Sequence, residues 1–254
     1  MNNYAQIALE SRKKVLELVY KAGTSHIGSL MGCADIMAVL MEKVDFDKDK
    51  FVAGKSWVAA LLYYHLWRKG RITLEELDSY CIGDSKFVGL VEPVTKDIPF
   101  GIGSMGMGFP AAVGFALSKK LKGEEGTVYC LMSDGELNCG TTWEASLIAA
   151  HHKLDNLVVV IEMNGFQAMG KTEDVLRSYF PERGWVVTEV DGHDYDALER
   201  KSLFHKGFGQ PHVILAKTTK GKGVSFMENN NLWHYAQVKD GDYKKAMDEL
   251  CLNS

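Results

Sequence analysis

The sequence predicts an α/β fold, a three-layer, doubly wound parallel sheet covered by helices on both faces. Three observations carry that expectation. Short β-rich runs recur in the second half of the chain, at residues 127–132, 157–162, 185–190 and 212–217, with segments of helical character between them. The run at 157–162 is apolar without alternation, the pattern of a strand buried on both faces. Two runs end in the dipeptides Asp134-Gly135 and Asn164-Gly165, which puts polar side chains just past strand carboxyl ends, where ligands sit in such sheets.

The first half reads as helical. Ala8, Val15, Leu18, Val19 and Ala22 follow a helical period that stops at Gly23. Residues 34–41 form a second helix. Residues 57–67 are apolar nearly all round, as in a buried helix. Thr73 with Glu76 three positions later is a capping box for a short helix. Residues 110–120 follow with Pro110 in the first turn. Thr141 and Glu144 suggest a second capping box, opening a helix to His152.

Composition narrows the function. The chain has 254 residues, 46% of them hydrophobic, enough for a large buried core. Its formal net charge of −4 gives no reason to expect nucleic acid or an anionic membrane as partner. Five cysteines, an odd number with no C-x-x-C pair, fit a reducing cytoplasmic setting rather than a disulfide framework. No secretory signal pattern opens the chain, and no apolar run is long enough to span a bilayer. Without repeats or a Pro/Gly/Ser linker, residues 1–254 read as one domain.

Asp134 and Asn164 lie 30 residues apart, the length of one strand–helix–strand crossover. On adjacent strands they would meet at one sheet edge and offer oxygen ligands to a hard cation such as Mg²⁺. That ion takes few protein ligands and completes its shell with phosphate and water. The alternative is two ordinary turns, since Asp-Gly and Asn-Gly favour turns for backbone reasons. The glycine run Gly101-Ile102-Gly103-Ser104-Met105-Gly106-Met107-Gly108 leads into the helix at Pro110. It offers backbone N–H groups for a phosphate or, alternatively, small residues for close helix packing. With no strand before it, a dinucleotide-type site is disfavoured.

These segments resemble the transketolase family. Ser133-Asp134-Gly135-Glu136-Leu137-Asn138, Trp143-Glu144-Ala145, the stretch from Ala149 to Leu157, and Asn164-Gly165-Phe166-Gln167 carry the likeness to its thiamine-diphosphate motif. Ser25-His26-Ile27-Gly28, Gly103-Ser104-Met105-Gly106, Asp191-Gly192-His193-Asp194, Lys220-Gly221-Lys222-Gly223 and Met227-Glu228-Asn229-Asn230 extend it, in order, over nearly the whole chain. The resemblance implies thiamine diphosphate and Mg²⁺ as cofactors. Asp134, Asn164 and the carbonyl of Phe166 would hold the metal. Gly103, Ser104, Met105, Gly106, Asp134, Gly135, Glu136, Asn164 and His234 would approach the cofactor. His26 and His234 would be catalytic groups in the substrate channel. His151 and His152 also match, and read as helix-end residues.

In this family a second domain holds the aminopyrimidine ring, and the sequence ends at Ser254 after the diphosphate-binding part. The resemblance therefore implies a split enzyme, a heterotetramer in which a partner subunit supplies the pyrimidine domain. The expected activity is transfer of a two-carbon ketol unit from a ketose-type donor to an aldehyde acceptor. Alternatives are one component of a 2-oxo-acid-utilising acyloin or deoxyxylulose-phosphate-type synthase, and a non-catalytic paralogue. Four positions depart from the family pattern: Trp57 and Leu90 stand where site histidines are expected, Cys139 replaces a glutamate, and Ser133 replaces, as a mild change, the first glycine of the Gly-Asp-Gly motif. If those loops line the site, the pocket loses two imidazoles, which implies a modified or carrier-linked sugar as substrate. Otherwise they are drift in loops away from it.

Overall fold

The computed structural model describes residues 3–168, 170–172, 180, 184–202 and 209–252. Helix α1 (Tyr4–Ala22) opens on Asn3, whose side chain accepts the Gln6 N–H, and closes at Gly23 with φ 62°. A left-handed C-cap of this kind favours glycine. Helix α2 (Ile27–Lys43) begins earlier than expected. Its first turns, Ile27-Gly28-Ser29-Leu30, are buried on every side and so show no amphipathic period.

Strand β1 (Lys50–Ala53) was not legible in the sequence, being only four residues long. A single 3₁₀ turn leads from it into α3 (Ala59–Arg68), which is buried as expected. Helix α4 (Leu74–Asp78) carries the Thr73–Glu76 capping box. Helix α5 (Gly108–Lys122) has Pro110 in its first turn and ends at left-handed Gly123. Then come β2 (Val128–Ser133), a 3₁₀ turn at Asp134–Asn138, α6 (Gly140–His151) and β3 (Leu157–Met163).

One expectation about this segment is corrected. The capping box belongs to Ser133 and Glu136, not to Thr141 and Glu144. Cys139 is the N-cap of α6, so Thr141 lies inside the helix, and its hydroxyl donates to the Gly106 carbonyl at 2.6 Å.

A two-residue hairpin, β4 (Phe166–Gln167) with β5 (Gly170–Lys171), precedes β6 (Val186–Asp191) and β7 (His212–Lys217). The helical segment expected before residue 185 falls largely outside the described residues. A 3₁₀ turn at Asn231–His234 and a last helix, Asp240–Leu252, complete the chain.

Among the described residues the main sheet has five strands in the order β1-β2-β3-β7-β6, all parallel. Helix α1 packs on α2, α3 and the last helix, while α5 packs on α6, β1 and β2. This is the predicted doubly wound α/β arrangement. The register pairs Ser133 with Glu162, so Asp134 and Asn164 leave neighbouring strands at the same edge. Among the described residues no helix is long and apolar enough to cross a membrane.

Candidate active site

A cavity of about 450 Å³ opens at the carboxyl ends of β1, β2 and β3. The turn after β1 supplies Gly54, Lys55 and Trp57; the turn after β2 supplies Gly135, Glu136 and Cys139; the turn after β3 supplies Asn164 and Phe166. Ser104 and Met105 come from the glycine run. His26 at the start of α2 and His234 with Tyr235 after the last 3₁₀ turn close the wall.

Asp134 is buried beside this wall. Its Oδ2 accepts the Gly165 N–H at 2.7 Å and the Thr172 hydroxyl at 3.0 Å, and its Oδ1 accepts the Gly135 N–H at 2.9 Å. Burial and the nearby Glu162 carboxylate push its pKa up to about 6, which these hydrogen bonds only partly offset. Asn164 is held by both ends of its carboxamide: Nδ2 donates to Glu162 Oε2 at 3.1 Å and Oδ1 accepts the Phe166 N–H at 2.9 Å. The two expected metal ligands thus flank one edge of the sheet with fixed orientations.

Behind them lies a buried ionic group that the sequence reading missed. Glu162, fully buried on β3, pairs with Lys55 and accepts the Thr218 hydroxyl at 3.1 Å. Lys55 also donates to the Ser29 carbonyl at 3.2 Å. Burial opposes the Lys55 charge, yet the Glu162 carboxylate holds its pKa above the ordinary lysine value. The available signal was a lone acid in an otherwise apolar strand, which demands a partner.

A second missed residue is Lys220. Its Nζ donates to Asn231 Oδ1 and to His234 Nδ1, both at 2.9 Å, and lies 5.6 Å from the centre of the Phe166 ring. Burial and the neighbouring Lys55 push its pKa down to about 8. Because the Lys220 nitrogen donates to Nδ1, the proton of neutral His234 sits on Nε2. Burial and the two ammonium groups push His234 down to about 4. Burial, His234 and the lysines push His26 to about 3. Both imidazoles are therefore neutral at pH 7.

His26 has a left-handed backbone at φ 70°, rare for a non-glycine residue. Trp57 lies flat on its ring, with centroids 3.9 Å apart and planes 4° apart, while His234 and Tyr235 meet it edge-on. Trp57 and Cys139 thus line the cavity. Leu90 is not among its lining residues and stands instead beside Gly103.

The glycine run divides between its two readings. Ser104 and Met105 face the cavity. Gly106, at φ 75°, backs onto Cys139 and Thr141, where a Cβ would come within 2.8 Å of Cys139 Cβ. Glu136, fully buried, accepts the N–H of Ser133 at 2.9 Å and of Gly106 at 3.4 Å, bracing this loop. Burial pushes its carboxyl up to about 7. Gly103 borders Leu90 and does not line the cavity.

Residues 4–254 match the family model described as the transketolase, thiamine diphosphate binding domain. The chain is 33% identical over 257 residues to one subunit of the apulose-4-phosphate transketolase of Phocaeicola vulgatus, covering 95% of this chain and 91% of the relative. It is 31% identical over 255 residues to one subunit of the 6-deoxy-6-sulfo-D-fructose transketolase of Clostridium sp. (strain MSTE9), covering 94% and 93% of the two. Among solved structures, the transketolase of Campylobacter jejuni superimposes with a TM-score of 0.92 at 28% identity over 99% of this chain, which spans 43% of that longer one. Fold and sequence agree: the chain belongs to the transketolase family, as its thiamine diphosphate binding domain.

Proposed function

We propose that this chain is the diphosphate-binding subunit of a two-subunit enzyme using thiamine diphosphate and Mg²⁺. It would transfer a two-carbon ketol unit from a ketose-type donor to an aldehyde acceptor, with a modified sugar as a substrate. One observation carries the reading: Asn164 and His234 line one cavity, with Asp134 beside Asn164 at the same sheet edge and Lys220 hydrogen-bonded to His234. A carboxylate and a carboxamide are hard oxygen donors, and an ammonium with an imidazole N–H beside them suits a diphosphate.

The donor set fits the cofactor. Asp134, the Asn164 side-chain oxygen and the Phe166 carbonyl would hold Mg²⁺. Asp134 is mostly ionised at pH 7, as a ligand must be. Lys220 and His234 Nε2–H would bind diphosphate oxygens, and Ser104, Met105 and Gly135 would border the cofactor. Thiamine diphosphate, when bound, supplies the electron sink for breaking the bond next to a ketose carbonyl. Neutral His26 and His234 can exchange hydrogen bonds and protons with substrate hydroxyls. Trp57 replaces a polar partner with an apolar platform and keeps water from one side of the pocket.

The two-subunit reading is supported by relatives that are themselves named as transketolase subunits and have nearly this chain's length. A partner holding the pyrimidine half in a cytoplasmic heterotetramer completes the proposal, with residues 1–254 as the single diphosphate-binding domain. The apulose-4-phosphate and sulfofructose activities in the relatives' names, with Trp57 and Cys139 in the cavity wall, support a modified sugar.

The test co-expresses the chain with the product of its neighbouring reading frame and measures thiamine diphosphate retained after gel filtration. Asp134→Ala and Asn164→Ala are expected to abolish retention, and ordinary xylulose 5-phosphate with ribose 5-phosphate to turn over poorly. Alanine variants that keep the cofactor would overturn the metal assignment; fast turnover of the ordinary pair would overturn the substrate assignment.

A further inference from the structure

The segment Asp191-Gly192-His193-Asp194 lies outside the cavity, yet each of its residues has a defined contact. Asp191 ends β6 and accepts the His193 N–H at 2.9 Å, which tightens the turn. The Gly192 N–H donates to the Lys217 carbonyl at 2.6 Å. A Cβ on Gly192 would stand 2.6 Å from Thr218 Cγ2 and 2.8 Å from the Lys217 oxygen, so only glycine allows this approach. Asp194 caps the following turn by accepting the Ala197 N–H at 3.0 Å.

The His193 ring then links two elements. Its Nε2 accepts the Thr219 N–H at 2.8 Å. A backbone amide can only donate, so the ring proton sits on Nδ1 and points to Asp35 Oδ2, 2.6 Å away. Asp35 is buried on α2, where Arg12 binds both its oxygens at 3.0 and 2.5 Å and Tyr195 donates to it at 2.6 Å. The next residue after Thr219 is Lys220. The backbone at residues 219–221 is also held by α2: the Gly221 N–H donates to the Gly28 carbonyl at 2.8 Å, and Gly32 leaves room for the Thr219 carbonyl.

From this geometry we infer that His193 is a positioning residue for the diphosphate site. Tied through Asp35 and Arg12 to α1 and α2, it fixes the Thr218–Thr219 peptide, one residue before Lys220, and so fixes where the Lys220 ammonium meets the anion. The inference rests on the reading that the cavity takes a diphosphate. Histidine suits the position because one nitrogen can accept a backbone N–H while the other donates to a carboxylate.

Two substitutions separate those bonds. Asn at 193 reaches as far as Nδ1 and can serve Asp35 but not Thr219. Gln extends to the Nε2 position and can accept the Thr219 N–H. Binding of magnesium pyrophosphate to the purified chain, and of thiamine diphosphate to the assembled pair, is measured by calorimetry alongside thermal unfolding. By the usual cost of losing a group that orients a ligand-binding residue, His193→Asn should weaken binding on the order of tenfold to a hundredfold, with His193→Gln between it and wild type because it keeps the Thr219 bond but loses the one to Asp35. In a Lys220→Ala background His193→Asn should cost no further affinity, because its effect passes through that lysine.

Equal losses with and without Lys220, unchanged affinity in His193→Asn, or affinity falling in both variants in step with the unfolding midpoint would each overturn the inference. If the wild-type protein binds neither probe, the cofactor reading falls and takes this inference with it. If wild type binds, Lys220→Ala does not and His193→Asn does, only the role of His193 is refuted.

Discussion

Replacing Lys55 by methionine removes one ammonium while keeping most of the apolar stem. Glu162 would then be a fully buried carboxylate left with two donors, Asn164 Nδ2 and the Thr218 hydroxyl, each at 3.1 Å. Removing one partner of a buried ion pair costs about 3–5 kcal/mol, chiefly through the uncompensated charge that remains. The two surviving hydrogen bonds place the expected loss near the lower end, about 3 kcal/mol. Urea unfolding of the purified chain reads it as a lower midpoint at unchanged slope. Adding Glu162→Met removes the stranded charge and should restore most of the lost stability, since apolar replacement of a whole buried pair is often neutral. Glu162→Gln makes a sharper functional test. A glutamine amide cannot accept from Lys55, Asn164 and Thr218 together, so the Asn164 carboxamide loses its fixed orientation and cofactor retention falls. A loss below about 1 kcal/mol for Lys55→Met, the size expected of a solvent-exposed pair, would refute the argument. So would a double variant less stable than the single one.

Burial pushes His65 and His26 down to about 3 and His234 to about 4. The unfolded chain therefore takes up protons first, and the stability these neutral histidines confer is full above about pH 6.5 and lost as pH falls, at up to about 1.4 kcal/mol per pH unit for each. Urea midpoints from pH 7 to pH 5 should fall less steeply in His65→Leu, and equal slopes would contradict the assignment. Gly108→Ala should destabilise by about 1–3 kcal/mol, because its Cβ would meet the Ala53 carbonyl and Gly54 Cα at 2.6 Å. Gly114→Ala, with open space in the same helix, should stabilise by about 0.5–1 kcal/mol, and thermal unfolding of the two checks the opposite signs. Trp57→His restores a hydrogen-bonding group to the cavity and should raise kcat/KM of the reconstituted pair for unmodified ketose donors by about three- to tenfold. Unchanged selectivity would remove Trp57 from the specificity argument.

The outer logic of the fold was legible because strands β2, β3 and β7 announce themselves by apolar runs and β6 by its β-branched residues Val186, Val187 and Thr188. The Asp134–Asn164 pair followed from those strand ends. Strand β1 did not, because Lys50–Ala53 is too short to show a period. The first turns of α2 were invisible for the opposite reason: full burial removes the polar face that marks a helix. Thr141 and Glu144 had the spacing of a capping box, but the helix begins one residue before Thr141, at Gly140. Lys55, Glu162 and Lys220 act through contacts between segments far apart in the chain, which local pattern cannot reveal. The departures at Trp57 and Cys139 were visible in the sequence, but only the cavity showed that they line it.

The indole of Trp57 lying flat against His26 has an optical consequence. Of the five tryptophans, all within the described residues, only this one borders the cavity. Protonated imidazole quenches indole emission strongly and the neutral ring does so weakly, so a stack that stays neutral down to about pH 3 should leave the emission steady across the working range. A molecule bound against that ring, or one that parts it from its neighbour, would change the light it gives off. The chain thus carries its own label-free gauge of whether the chamber is filled, readable before any chemistry takes place.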